Sequence, residues 1–237
     1  MAFFDTQKKM KAITFSFDDG VTQDIQLVQL LNKYGLKCTF NINSGLLGKR
    51  GIVTRPDGLK VSHYKIYPEE LKWLYEGHEV AAHTLTHPRL TLLDDQEVIR
   101  QVEQDRLNLS EMIGYEVVGF AYPGGGINND ERVAELIKNN TGIKYARTVT
   151  RTDSFDMPED LYRFSPNVSP ITQYDKTFEM AKKFIDMKTD KPQMLYIWGH
   201  SFELDLESDS LVKLEKLFEY ISGRDDIFYG TNKEVLL

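Results

Sequence analysis

The chain has 237 residues, of which 41% are hydrophobic, 11% aromatic and 27% charged, which is too much apolar material for a disordered chain and enough for a buried core. Its 29 Lys+Arg against 36 Asp+Glu give a net charge of -7 with no run of five basic residues, which argues against nucleic acid as a partner. Cys38 is the single cysteine, so an internal disulfide and a thiolate zinc knuckle are excluded, and any metal must be held by His and carboxylates. Residues 1–11 are polar with two Phe and lack a long apolar stretch. They predict neither a leader peptide nor a membrane span, and hence a cytoplasmic protein.

Apolar and amphipathic runs alternate along the chain, the pattern of parallel strands joined by crossover helices. A first strand is predicted over 12–17. Leu27, Leu30, Leu31 and Tyr34 then recur at helical spacing and stop at Gly35, and a second strand follows over 38–42. Residues 45–67 show no period and read as a long loop ahead of a helix over 68–76. Strands over 79–83, 117–122, 144–149 and 194–198 alternate with helices over 94–113, 130–139 and 174–187. A helix over 210–221 precedes a short strand at 227–229. Six or seven βα units without linker or repeat predict a single α/β domain over 1–237.

In a barrel of parallel strands the βα loops converge on one mouth, so residues just after strands are the candidates for chemistry. Asp18 and Asp19 follow the first strand and precede Gly20, where the backbone can turn tightly; a helix cap or turn is the competing reading. His83 and His87, four apart, would share one side of a helical turn and reach one cation, or form a structural pair. His78 precedes its strand and reads as structural, and His63 reads as exposed or as a substrate contact. Tyr122-Pro123-Gly124-Gly125-Gly126 leaves backbone N–H groups uncovered, either as an oxyanion hole or as a flexible turn, and lacks the Lys-Ser/Thr of a nucleotide loop. His200 closes the strand at 194–198. One Asp and three His at strand ends are the parts of a metal hydrolase with three protein ligands.

The stretches Thr14-Phe15-Ser16-Phe17-Asp18-Asp19-Gly20, His83-Thr84-Leu85-Thr86-His87, Phe120-Ala121-Tyr122-Pro123-Gly124-Gly125 and Trp198-Gly199-His200 resemble, in order, motifs of the NodB-homology polysaccharide deacetylases, carbohydrate esterase family four. The resemblance implies a distorted (β/α) barrel of about seven units that removes acetyl groups from N-acetylated sugars with a divalent metal, commonly zinc. By motif position it implies Asp18 as general base, Asp19, His83 and His87 as metal ligands, His200 as general acid and the Gly124 N–H as oxyanion donor. Tyr122, Pro123 and Trp198, which stand in these stretches, are the candidate substrate contacts.

Two departures stand out. The family has an Arg that orients the catalytic Asp where this chain has Ala121, and Arg147, at the end of the strand over 144–149, is the candidate to replace it by a bidentate contact to Asp18. Arg151 and Arg163 are its rivals, and Asp153 or Asp156 is the candidate fourth-motif acid. Trp198 replaces a smaller aliphatic residue and would narrow the acetyl pocket or stack on a sugar. The expected activity is therefore a metal-dependent deacetylase of N-acetylated sugars. A hydrolase of a small amide or cyclic imide on the same barrel is the first alternative, and a glycan-binding module without catalysis the second.

Overall fold

Strand β1 (Lys11–Asp18) is buried along its whole length. Its alternation sorts two environments: Ile13, Phe15 and Phe17 enter the main apolar core, so Thr14, Ser16 and Asp18 face the other side of the sheet. The computed structural model describes Phe4 and residues 9–237, so most of the opening segment read as leaderless lies outside the described residues. After β1 come α1 (Asp24–Lys33), β2 (Cys38–Ile42), a hairpin of β3 (Ile52–Thr54) and β4 (Lys60–Ser62), and the single turn α2 (Leu71–Leu74). The chain continues through β5 (Glu79–Ala82), α3 (Asp95–Ile113), β6 (Gly119–Ala121), α4 (Glu131–Asn140), β7 (Tyr145–Arg147) and α5 (Tyr174–Asp186). It ends with β8 (Gln193–His200), α6 (Ser210–Ile221), β9 (Ile227–Tyr229) and α7 (Asn232–Leu236).

The seven strands outside the hairpin form one curled parallel sheet in the order β7-β6-β5-β2-β1-β8, with β9 against β1. β2 pairs with Phe15–Asp18 and β9 with Lys11–Ile13, so the two occupy successive stretches of β1. Between β7 and β8 the ring is completed by an irregular segment: Phe164 bridges Arg147, and Val168 bridges Ile197. No strand is predicted there from sequence. The helix starts are local: Asp94 and Asp130 each cap the N–H three residues on, at the first turns of α3 and α4. No described helix is long and apolar enough to cross a membrane.

The α/β barrel expectation holds, with local corrections. The loop at 45–67 contains the β3–β4 hairpin, and the helix predicted over 68–76 is a 3₁₀ turn at Pro68–Glu70 followed by α2. Strands β5, β6 and β7 are shorter than predicted; at β6 the flanking Val117, Val118 and Tyr122 are buried outside the strand, so their apolar character does not mark pairing.

The barrel interior combines a polar network with a small apolar cluster that includes Ala12, Tyr145, Met194 and Tyr196, unlike the layered aliphatic filling usual for this kind of sheet. Its lower level is organised by Asn232 at the start of α7, fully buried. The Asn232 backbone N–H donates to Thr39 Oγ1 at 2.8 Å, its Nδ2 donates to Thr14 Oγ1 at 2.8 Å and the Phe15 carbonyl at 3.2 Å, and its Oδ1 accepts from the Tyr196 hydroxyl at 2.6 Å. Asn232→Ala strands three buried partners without water. Chemical denaturation is expected to show a loss of about 2–4 kcal/mol, the range for breaking a buried polar network.

Candidate active site

The register of the sheet brings the chemistry to one edge. Asp18 stands opposite Asn41 of β2 on one side and His200 of β8 on the other, and Arg147 ends β7 across the barrel. Here a cavity of about 520 Å³ opens, lined among others by Asp18, Asp19, His83, His87, Gly124 and His200.

Both members of the Asp pair are buried, and each has its own cation. Asp18 is held by Arg147, whose Nη2 lies 2.6 Å from both carboxylate oxygens, and its Oδ1 also accepts from Asn41 Nδ2 at 2.8 Å. The expected two-pronged fork is not what forms: a single nitrogen spans the carboxylate, while Nη1 donates to the Thr148 carbonyl at 3.1 Å. The Trp198 ring covers the guanidinium at 4.6 Å, which fixes its plane. Burial raises the Asp18 pKa, but Arg147 first and then His83 and His200 outweigh it, and the carboxyl is held below its usual range.

Asp19 turns the other way, in the left-handed region at φ 88°, and its N–H donates to the Asn41 carbonyl at 2.9 Å. Gly20 follows at φ 60°, where a Cβ would lie 2.8 Å from Ile42 Cδ1. The residues that hold Asp19 come from the arm after β4. His63 Nε2 donates to Oδ2 at 3.1 Å, and Lys65 Nζ donates to the Asp19 carbonyl at 2.6 Å and to Oδ1 at 3.1 Å. Burial opposes the Asp19 charge, and the His63 hydrogen bond and the Lys65 charge overcome it, so this carboxyl lies well below its ordinary value. His63 is thus neither free nor simply exposed, and Lys65 is a functional position that the sequence reading missed.

His83 and His87 do not share a helical turn. The segment after β5 is a non-helical loop in which Thr84 and His87 take φ values of 69° and 59°. With Asp19 these are the only non-glycine positive-φ residues among the described residues, so the backbone strain is concentrated at the site. The loop is fixed by Asn43, which donates to the His83 and Thr84 carbonyls, and by Asp105 of α3, which accepts from the His83 N–H at 2.9 Å. One donor atom each of Asp19, His83 and His87 lies within 4.8 Å of the others. His83 Nδ1 donates to the Ala121 carbonyl at 2.7 Å, which leaves its Nε2 lone pair free. Burial lowers the His83 pKa to about 4 and also lowers that of His87, so both imidazoles are neutral donors at physiological pH. A carboxylate and two neutral imidazoles in this arrangement suit a divalent cation.

His200 is the opposite case. Its Nδ1 donates to Glu203 Oε1 at 3.2 Å, and Nε2 faces Asp19 Oδ2 at 4.0 Å. Burial favours the neutral ring, but Glu203 first, then Asp19 and Asp18, raise its pKa to about 9. The acid beside this His is therefore Glu203. Asp153 and Asp156 are exposed and pair with Lys176 and Lys191 on the outer surface, so neither serves as the fourth-motif acid. Arg151 and Arg163 bond to Gln173 and Asn129 and do not reach Asp18.

Of the proposed substrate contacts, Trp198 lines the cavity, and so does Tyr122, whose hydroxyl is directed to the Tyr162 carbonyl at 2.9 Å. Pro123 is buried and does not line the cavity, so the structure does not place it as a substrate contact. His78 is structural, accepting from the Cys38 N–H at 3.3 Å and donating to Asn32.

In Glu203→Gln the imidazolium loses its nearest negative charge, so the fraction of protonated His200 at neutral pH falls. An NMR titration of the metal-free protein should place the His200 pKa near 9 in the wild type and lower in the variant. An unchanged midpoint would remove Glu203 from the site.

A family model for polysaccharide deacetylase matches residues 5–146. The peptidoglycan-N-acetylmuramic acid deacetylase PdaC of Bacillus subtilis is 32% identical over 125 residues, covering 52% of this chain and 23% of PdaC. The peptidoglycan-N-acetylglucosamine deacetylase PgdA of Listeria monocytogenes is 29% identical over 133 residues, 55% of this chain and 24% of PgdA. The match spans about a quarter of the length of these relatives. The solved structure of B. subtilis PdaC aligns over 95% of this chain and 90% of that one, with a TM-score of 0.56 and 21% identity. The Xyl-CE4 domain of a multidomain xylanase from the hindgut metagenome of Trinervitermes trinervoides aligns over 96% and 89%, with a TM-score of 0.61 and 15% identity. These structures share the fold, and the family model covers more than half of the sequence. This chain belongs to the polysaccharide deacetylase family.

Proposed function

We propose that the chain is a metal-dependent hydrolase that removes the acetyl group from an N-acetylated sugar. The observation that carries this reading is the convergence, in one cavity, of a neutral-imidazole and carboxylate donor set, a separately held second carboxylate and a protonated His. Relatives named as deacetylases of N-acetylglucosamine and N-acetylmuramic acid in peptidoglycan support the sugar class over the small amide or cyclic imide.

Asp19, His83 and His87 would hold the ion, and zinc suits two imidazoles with one carboxylate. When bound, a divalent ion polarises a carbonyl and acidifies water. The chain's own groups divide the remaining work. Asp18, ionised and fixed by Arg147 and Asn41, accepts the proton of the attacking water. The Gly124 N–H, uncovered at the cavity wall, donates to the oxyanion that forms on the acetyl group. His200 carries a proton on Nε2 and delivers it to the departing amine, while Glu203 holds the ring from Nδ1. Trp198 forms the wall against which the acetyl group or the sugar packs.

Acetate release from zinc-loaded protein should be measured on chito-oligosaccharides, peptidoglycan fragments, acetylxylan and small cyclic imides. Release from an N-acetylated sugar that stops on chelation is the expected result; turnover of the imide alone, or none, would refute the sugar reading. Asp18→Asn keeps the cation site and should lower kcat on the order of 10² to 10⁴, the usual loss for a general base. His87→Ala should lose stoichiometric metal by elemental analysis while keeping its circular dichroism, because the ligand lies at the cavity and not in the apolar core.

A further inference from the structure

The cavity is more cationic than a neutral amino sugar requires. Its two carboxylates, Asp18 and Asp19, are matched by Arg147 and Lys65. Two further cations, Lys49 and Arg50, also line the cavity, and neither pairs with a carboxylate among the described residues. In a chain of net charge -7 this local excess is not background.

Both side chains are exposed at the cavity, and the backbone that carries them is held against the arm that supports Asp19. The Lys49 carbonyl accepts from the Lys65 N–H at 2.9 Å and the Gly51 carbonyl from the His63 N–H at 2.9 Å. Lys49 and Arg50 therefore sit on the arm zipped to the one whose side chains hold Asp19. The outward end of this arm is stiffened as well, since the Arg50 guanidinium lies over the Tyr64 ring at 5.4 Å. Leu46 and Val53, which flank the two cations in sequence, also line the cavity and supply apolar wall to face a sugar ring.

Building on the sugar-deacetylase reading, we infer that Lys49 and Arg50 form an anion subsite, and that the substrate is an N-acetylated amino sugar that also bears a carboxylate or phosphate. A guanidinium and an ammonium lining one cavity select such a group by charge-assisted hydrogen bonds, and a cationic cleft in an acidic protein concentrates it from solution. The inserted segment at 45–67 then has two tasks: one arm fixes Asp19, and the other selects the substrate.

The test is binding, measured by calorimetry on zinc-loaded Asp18→Asn protein so that turnover does not intervene. The neutral probes are di-N-acetylchitobiose and N-acetylglucosamine; the anionic ones are the disaccharide with one N-acetylmuramic acid and N-acetylglucosamine 6-phosphate. At least one anionic probe should bind about tenfold more tightly than its neutral partner, the effect of one retained charge-assisted contact. Lys49→Ala/Arg50→Ala should remove that preference, and the arm in which it occurs identifies carboxylate or phosphate. Equal binding within each pair, a preference that survives the double variant, or no binding of any probe overturns the subsite. Acetate release from wild-type protein separates the two readings. Release without anion preference overturns the subsite alone, and anion preference without release from any probe overturns hydrolysis alone.

Discussion

Two adjacent carboxylates at the end of one buried strand have to remain charged at the same time, and much of this structure follows from that requirement. Burial and mutual repulsion both favour protonation of one of them. The fold answers by splitting the pair. Asp19 enters the left-handed region, so that its carboxylate leaves the direction of Asp18, and each group then meets a different cation from a different part of the chain. Arg147 reaches Asp18 across the barrel from β7; Lys65 and His63 reach Asp19 from the arm after the β3–β4 hairpin. The outcome is that two carboxylates adjacent in sequence are held apart, as the proposed roles of proton acceptor and cation ligand require.

The polar barrel interior is the supporting structure of this arrangement. Ser16, Asn41 and Asp18 form one connected level, in which Asn41 Nδ2 donates to both of the others. Below it, Asn232 joins Thr14, Thr39 and Tyr196. A network in which every member has its partners is rigid as well as polar, whereas a half-satisfied one would be worse than an apolar filling. The main apolar core, meanwhile, lies on the outer face of the sheet, against the helices, and a smaller apolar cluster around Ala12, Met194 and Tyr196 lies on the inner side. The barrel thus places most of its apolar packing outside and the positioning of charge inside.

Alternation and helical period were legible in the sequence because they are local. Residues such as Phe15 and Phe17, or Leu27 and Leu31, carry the strand and helix signals within a few positions, and side chains that follow strands must gather at one rim. That logic located Asp18, Asp19, His83, His87 and His200, and also Arg147, which ends a strand. The partners that complete the site were not legible, because they depend on contacts distant in sequence. Lys65 lies 46 positions from the Asp19 it contacts, in a segment with no period. The segment that bridges β7 and β8 has too little regular pairing to read as a strand. The approach of His83 and His87 needs two left-handed residues that are not glycine, so the helical turn suggested by their spacing was the wrong geometry. Glu203 was hidden by motif reasoning that looked for an acid at Asp153 or Asp156. The three-residue separation of His200 and Glu203 was the signal available, since it returns a side chain to the ring within one turn.

The claim that the two carboxylates are held separately and both charged is tested most directly by a carbon-detected NMR titration of the Asp18 and Asp19 side-chain carboxyls in metal-free protein, with Arg147→Met alongside. Both groups should stay ionised at pH 3.8, the ordinary value for Asp, and the variant should raise the midpoint of Asp18 while leaving Asp19 low. If one carboxyl of the wild type takes up a proton above that pH, or if Arg147→Met moves both midpoints together, the two groups share one proton equilibrium and the account is wrong.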